Sequence, residues 1–119
     1  MFRLGYNKYM KELGLTKKDY PMDRCRANKY NRKTGFNDYV TFNLNYSLVL
    51  FTYCYIRHMQ DISTIVDWDY HKKDFSFDKC LEGLKVYLTK DEYEMTEEDF
   101  NLFKKSWKYI GDHIGYIWW

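Results

Sequence analysis

Residues 96–117 read TEEDFNLFKKSWKYIGDHIGYI, and this stretch carries the strongest helical signal in the chain. Thr96 is a good N-cap, and Asp99, three residues on, can reach back in a variant of the capping box. Acids fill the first turn, at the positive end of the helix dipole. Apolar residues then recur in alternating steps of three and four, which keeps six of them on one face: Phe100, Phe103, Trp107, Ile110, Ile114 and Ile117. The pattern predicts an amphipathic helix with a buried stripe that includes Trp107. Its two glycines mark either a close approach to a neighbour or a frayed end.

A second helix is predicted from Asn43 to Met59. Its leading apolar stripe steps by four, three, four and four through Leu44, Leu48, Phe51, Tyr55 and Met59. The other positions are nearly as apolar, and a helix that is apolar all round usually lies at the centre of its fold. Sixteen residues is long for a strand, which favours the helix.

Two further helices complete the predicted fold. One runs from Asp78 to Leu88, with Ser76 or Asp78 as its N-cap, and the other is short, running from Tyr6 to Leu13 and ending at Gly14. No internal repeat or low-complexity tract divides the chain. We therefore expect one all-α domain over residues 1–119, a small bundle of three to four helices. A basic loop joins helices one and two, and the 43–59 helix is central.

Aromatic residues are unusually abundant, since 13 Tyr, 8 Phe and 4 Trp make up 21% of the 119 residues. Tyr and Trp combine a large apolar ring with a polar tip, which suits an interface. The chain has more ring surface than a small core needs. We therefore expect some of these rings to face a partner.

Charge is distributed unevenly. Residues 1–33 hold ten Lys or Arg against three acids, and residues 34–119 hold nine against fourteen, giving the net charge of +2. The split fits either a basic arm for nucleic acid or two faces of one fold that pair with each other. The three cysteines are far apart, the first fifteen residues lack a signal-peptide core, and no stretch could span a membrane. A cytoplasmic protein with reduced thiols is expected.

Recognised catalytic motifs are absent, so no enzyme activity and no cofactor are predicted. Asp67, Asp69 and His71 alternate as on one face of a strand and could hold a divalent metal, or they could lie in a solvated loop. Cys54 and His58 are one helical turn apart, which allows a shared metal but more often means a buried thiol and a hydrogen-bonded imidazole. His113 reads most simply as a residue at the edge of its helix. No metal site is predicted.

A basic segment at residues 17–33 is the candidate for nucleic-acid binding. Its lysines and arginines could neutralise phosphates and its tyrosine could stack on an unpaired base: Arg24, Arg26, Lys29, Tyr30, Arg32 and Lys33. The alternative is a solvated loop whose cations meet the acids of residues 91–99. An isoelectric point near 8.3 is lower than that of most dedicated binders and favours the alternative.

Residues 35–45 read GFNDYVTFNLN and resemble a motif of small, uncharacterised phage proteins, G-[aromatic]-x-D-x-x-T-W-x-L-D. The match covers about a tenth of the chain, at Gly35, Phe36, Asp38, Thr41 and Leu44, and departs at Phe42 and Asn45. The resemblance implies a phage or prophage origin and no established activity. Physically, Gly35 permits a tight turn, Asp38 or Thr41 offers an N-cap, and Phe36 and Phe42 pin the turn onto the helix.

These observations predict a small non-enzymatic protein that binds a host or phage protein, for example as an inhibitor of a bacterial defence system. The predicted partner surface is at the C-terminus and includes Tyr116, Trp118 and Trp119. The two tryptophans would leave an exposed apolar patch unless they are buried against the domain, a partner or a second copy, and at least one is expected at an interface. The alternative function is a nucleic-acid-associated accessory protein that uses residues 17–33.

Overall fold

The computed structural model describes residues 8–15, 33–36, 43–62 and 75–117, and its regular structure there is helical. Three long helices are α1, Leu44–Ile62, α2, Phe77–Thr89, and α3, Glu97–Asp112, followed by a 3-10 turn at Ile114–Tyr116. A shorter helical segment covers residues 8–12. The prediction of a small all-α domain is confirmed, with no strand among the described residues. None of the helices described is both long and apolar enough to cross a membrane.

The helix ends follow the local signals in the sequence. At the start of α3, the Asp99 N–H donates to Thr96 Oγ1 at 3.1 Å and the Thr96 N–H donates to Asp99 Oδ2 at 3.0 Å, which completes the predicted capping box. At the start of α2, Ser76 Oγ accepts the Lys79 N–H, so Ser76 is the cap. These caps satisfy N–H groups that would otherwise have no partner in the helix.

Gly14 ends the segment at residues 8–12, as predicted. Its φ of +74° lies in the left-handed region, which suits glycine. The Leu15 N–H donates to the Met10 carbonyl at 2.9 Å and the Gly14 N–H donates to the Lys11 carbonyl at 3.1 Å. This pair of bonds is the Schellman motif, and it turns the chain away from the helix axis.

The core draws on every described helix, and α1 and α2 supply five residues each. The buried apolar residues are Tyr9, Met10, Leu13, Val49, Leu50, Tyr53, Cys54, Ile56, Phe75, Phe77, Cys80, Leu81, Leu84, Leu88 and Ile110. α2 packs extensively against α3 and also against α1. Of the three long helices, α2 contacts both of the others, and α1 contacts α2 and the segment at residues 8–12. The 43–59 helix therefore shares the inner position with α2.

The buried face of α3 also differs from the predicted stripe. Ile110 is buried and Phe103 packs against the core, but Trp107 is 39% exposed and Ile114 is 66% exposed. Ser106, one residue before Trp107, is fully buried instead. Neighbouring residues point about 100° apart on a helix, so turning Ser106 inward turns Trp107 outward.

A glycine on α2 explains this rotation. A Cβ atom at Gly83 would lie 2.9 Å from Ser106 Cβ and 3.0 Å from the Leu102 carbonyl oxygen. The two helices therefore come closest where their side chains are smallest. Ser106 Oγ donates to the Leu102 carbonyl at 2.7 Å, which satisfies the hydroxyl in this dry contact. The glycines of α3 itself make no such approach, and Gly111 lies in the last turn of the helix.

Candidate protein-binding surface

An apolar stripe runs along the outer face of α1. Five of its large side chains keep between 36% and 50% of their surface exposed, and we call them the α1 stripe: Leu44, Leu48, Phe51, Tyr55 and Ile62. Four of the five belong to the stripe that steps by four, three, four and four in the sequence. The helix packs on the domain through its other apolar face, which includes Val49, Leu50 and Tyr53.

The α1 stripe is regular and free of fixed charge. Its first four residues are spaced by four, three and four, and exposed His58 fills the position between Tyr55 and Ile62. No Asp, Glu, Lys or Arg occurs from residue 44 to residue 56. The rings of Phe51 and Tyr55 pack together with centroids 4.3 Å apart, near the middle of the helix. Such a surface can make apolar contacts along three turns of a partner.

A ladder of rings adjoins the N-terminal end of α1. Asn45 Nδ2 donates to the Tyr87 hydroxyl at 2.7 Å, which ties α1 to α2. Tyr87 stacks on Phe103 with centroids 4.2 Å apart, and Phe103 stacks in turn on the exposed Trp107 at 6.1 Å. A groove of about 290 Å³ opens beside them, lined by Asn45, Tyr46, Tyr87, Lys90, Glu92, Met95 and Phe100. Part of the ring surplus therefore lies at the surface.

A polar clamp holds the segment at residues 8–12 on the C-terminal half of α1. Arg57 Nη2 lies 2.8 Å from Glu12 Oε2 and Arg57 Nε donates to Glu12 Oε1 at 3.0 Å. Lys8 Nζ lies 2.9 Å from Asp61 Oδ2, and the Tyr9 hydroxyl donates to the same oxygen at 2.7 Å. The Arg57 guanidinium lowers the pKa of Glu12, and the hydrogen bonds from Lys8 and Tyr9 lower the pKa of Asp61.

The clamp has the properties of a structural contact. Burial and the hydrogen bond to Asp61 raise the pKa of Tyr9 to about 12, so the phenol keeps its proton at neutral pH. Burial likewise raises the pKa of the neighbouring Tyr53, with a further increase from the Glu12 carboxylate, to about 12. Phenols with raised pKa values serve poorly as nucleophiles or bases. These groups fasten the N-terminal segment to α1.

Most of the site residues predicted from the sequence lie outside the described part of the chain. These are Trp118 and Trp119, the side chain of Tyr116, the basic residues Arg24, Arg26, Lys29, Tyr30 and Arg32, and the candidate metal residues Asp67, Asp69 and His71. Lys33 is described, and its side chain is exposed. Gly35 has the φ of +77° that a tight turn uses, but Phe36 is exposed and so does not pin that turn on α1.

Cys54, His58 and His113, the other candidate residues from the sequence, are in positions that suit a role in packing. Cys54 is buried, which raises the pKa of its thiol to about 12, while His58 is exposed with Nδ1 3.5 Å from the Tyr9 hydroxyl. The Cys54 thiol therefore stays protonated at neutral pH, because a thiol in an apolar core resists ionisation. His113 caps the C-terminal end of α3 and stacks on Tyr109 at 3.9 Å. No group of three His, Cys, Asp or Glu that could hold a metal occurs within the described ranges.

The sequence analysis did not predict that the α1 stripe is exposed, although the sequence contained an indication of it. A helix with two apolar faces needs two neighbours, and the uncharged run of residues 44–56 pointed to a second one. Comparison with known proteins adds no functional assignment to this geometry. The chain has no significant match to a family model, to a curated protein or to a solved structure.

Proposed function

We propose that this chain is a non-enzymatic protein-binding protein that docks on its partner through the α1 stripe. The observation that carries the proposal is the exposure of five large apolar side chains in a row on one helix face. Monomeric proteins rarely leave contiguous apolar patches of this kind in water, and such patches commonly mark interaction sites. Rings near the centre of the stripe, Phe51 and Tyr55, are residue types common at the energetic centre of interfaces.

The spacing of the stripe favours a helical or groove-shaped partner. Residues at i, i+4, i+7 and i+11 form the anchors by which an amphipathic helix lies along an apolar groove or against another helix. Because the middle of the face carries no fixed charge, its affinity should depend weakly on salt. The excess of aromatic residues in the sequence is consistent with this use.

The proposed origin, target and cellular location of the protein are supported by the sequence alone. Phage origin, inhibition of a bacterial defence system and action in the cytoplasm depend on the motif at residues 35–45 and on the composition. Binding of nucleic acid by residues 17–33 stays the alternative prediction. These two functions differ in the surface they use and in their sensitivity to salt.

Affinity capture with matched variants tests the proposal. Tagged wild type, the double variant Leu48→Glu/Phe51→Glu and the control Lys85→Glu are used as bait in lysate of the cells in which the chain occurs. Both variants lower the net charge by two, but Lys85 lies on the exposed face of α2. We expect a protein, including a differently tagged copy of the chain itself, that wild type and Lys85→Glu retain and the double variant loses. Equal capture by all three baits, or capture abolished by nuclease, would contradict the proposal.

A further inference from the structure

We infer that the occupant of the α1 stripe is a second copy of this chain, with the two α1 helices antiparallel across a two-fold axis. The inference rests on the proposed function, because it names the partner of the same surface. It is carried by three observations: the spacing of the stripe, its lack of fixed charge, and the position of the Phe51 and Tyr55 rings.

The spacing fits a helix as the neighbour. Counting His58, the outer face of α1 reads 44, 48, 51, 55, 58 and 62, in alternating steps of four and three. This is the order of core positions in a coiled coil, where each side chain enters a hole on the facing helix. All six positions lie within the 19 residues of α1. A continuous helix of similar length is the neighbour that fills such a face.

Charge makes the face complementary to itself. None of the six face positions is Asp, Glu, Lys or Arg, so no fixed charge at these positions on one copy repels its counterpart on the other. The charged residues at the C-terminal end of α1 are already engaged within one chain, Arg57 with Glu12 and Asp61 with Lys8. A partner with a charged surface would lose hydration without gaining an ion pair on this face. A second identical face brings no Asp, Glu, Lys or Arg to these positions, so no fixed charge loses its hydration there.

The antiparallel direction follows from the symmetry of the stripe. The midpoint of α1 is residue 53, and the packed rings of Phe51 and Tyr55 lie on either side of it. A two-fold axis there sets Phe51 opposite Tyr55 of the second copy and gathers four rings at the centre. The same axis sets Leu48 opposite His58 and Leu44 opposite Ile62. A parallel pair would instead place the two imidazoles against each other, and it would align the helix dipoles unfavourably.

The size of the contact predicts a weak dimer. Two helical faces of this length bury on the order of 1,000 Å² in total, at the low end of specific interfaces. Dissociation constants of micromolar order are expected for a contact of that size with a good central cluster. One polar position among six also costs stability while fixing the register. His58→Leu should therefore tighten the dimer by about tenfold.

Sedimentation velocity tests the dimer from about 5 to about 500 μM, a range that brackets the affinity expected of a small interface. Wild type and Lys85→Glu should shift from monomer to dimer over this range, and Leu48→Glu/Phe51→Glu should stay monomeric with an unchanged circular dichroism spectrum. Wild type that stays monomeric at the highest concentration would overturn the inference, as would a dimer that the double variant leaves intact.

Disulfide trapping tests the direction in a Cys25→Ser background, in which the cysteines at 54 and 80 are buried. A mixture of Leu48→Cys and His58→Cys proteins should cross-link, while Leu48→Cys alone should not. Rapid self-cross-linking of Leu48→Cys would show a parallel pair and overturn the antiparallel assignment.

Other occupants give distinct results. If wild type is monomeric but affinity capture still depends on the stripe, a different protein is the partner, and the proposed function holds while this inference fails. If wild type is monomeric and Leu48→Cys reacts slowly with a thiol reagent, part of the same chain covers the stripe. Both proposals then fail.

Discussion

Gly83 determines how α2 and α3 meet. It faces Ser106 across the contact, and even a Cβ atom at Gly83 would crowd Ser106 and the Leu102 carbonyl. Periodicity analysis weights large apolar residues, so it placed Trp107 in the core and gave no weight to a serine. The small pair allows the two helix backbones to approach closely, and Trp107 is then left 39% exposed. The core is therefore built around the smallest residues of the contact.

Gly83→Ala should lower the free energy of unfolding by about 1–3 kcal/mol, because the added methyl group must push two packed helices apart. The gain in helix propensity from replacing glycine, about 1 kcal/mol, opposes this loss and is included in the expectation. Gly111→Ala is the matched control, since nothing lies within 4 Å of its Cβ position. That variant should be neutral or more stable in urea denaturation. Equal stability of the two variants would show that the helices do not approach at Gly83.

At the scale of elements, the segment at residues 8–12 depends on side-chain contacts with α1. An isolated helix of this length is unstable in water. It is held by three buried apolar residues, Tyr9, Met10 and Leu13, and by the clamp of Arg57 and Asp61 with Glu12 and Lys8. Apolar burial contributes most of the stability, and the ion pairs fix where the segment lies.

The clamp should make the free energy of unfolding depend on pH in the acidic range. The pKa values of Glu12 and Asp61 are lowered in the folded state, so their contribution is present above the ordinary carboxyl pKa and is lost as pH falls through the lowered values. Arg57→Gln should lower the free energy of unfolding by about 1 kcal/mol at pH 7, as expected for a bidentate pair that is largely shielded from water. The difference from wild type should shrink near pH 2, where the carboxylates are protonated.

Lys108→Gln is the control for this effect. It breaks the exposed pair of Lys108 and Asp112 within α3, which should change stability by less than about 0.5 kcal/mol at either pH. Chemical denaturation of the three proteins at both pH values measures the differences. An Arg57→Gln penalty that is as large near pH 2 as at pH 7 would show that the clamp does not act through charge.

The ends of these helices could be predicted from the sequence, but the faces that they bury could not. The capping box of Thr96 and Asp99, the Ser76 cap and the Gly14 turn were predictable because each is a hydrogen-bond pattern within six residues. The inward faces of α1 and α3 were not, because a neighbouring helix chooses the face. On α1 both faces are apolar, so periodicity could not distinguish the side that packs from the side that stays exposed.

At the scale of the whole molecule, α2 joins the parts. Its two sides contact α1 and α3, and its buried residues form the middle of a core that reaches from Tyr9 to Ile110. In this arrangement the five side chains of the α1 stripe stay between 36% and 50% exposed. Part of the ring surplus lies at the surface, at Phe51, Tyr55 and Trp107. Which rings are exposed depends on how the helices pack, and composition alone does not determine that packing.

Two buried thiols can report whether these parts unfold together. Cys54 lies on α1 and Cys80 on α2, both are buried, and burial raises the pKa of each to about 12. Reaction with a thiol reagent therefore requires the core to open. In a Cys25→Ser background, we expect both thiols to be modified slowly and at rates equal within about twofold, because a small domain with one core opens as a unit. Peptide mass spectrometry after timed labelling distinguishes the two positions. Much faster labelling of Cys54 would mean that α1 detaches while α2 and α3 stay packed, and the core would then consist of two separable parts.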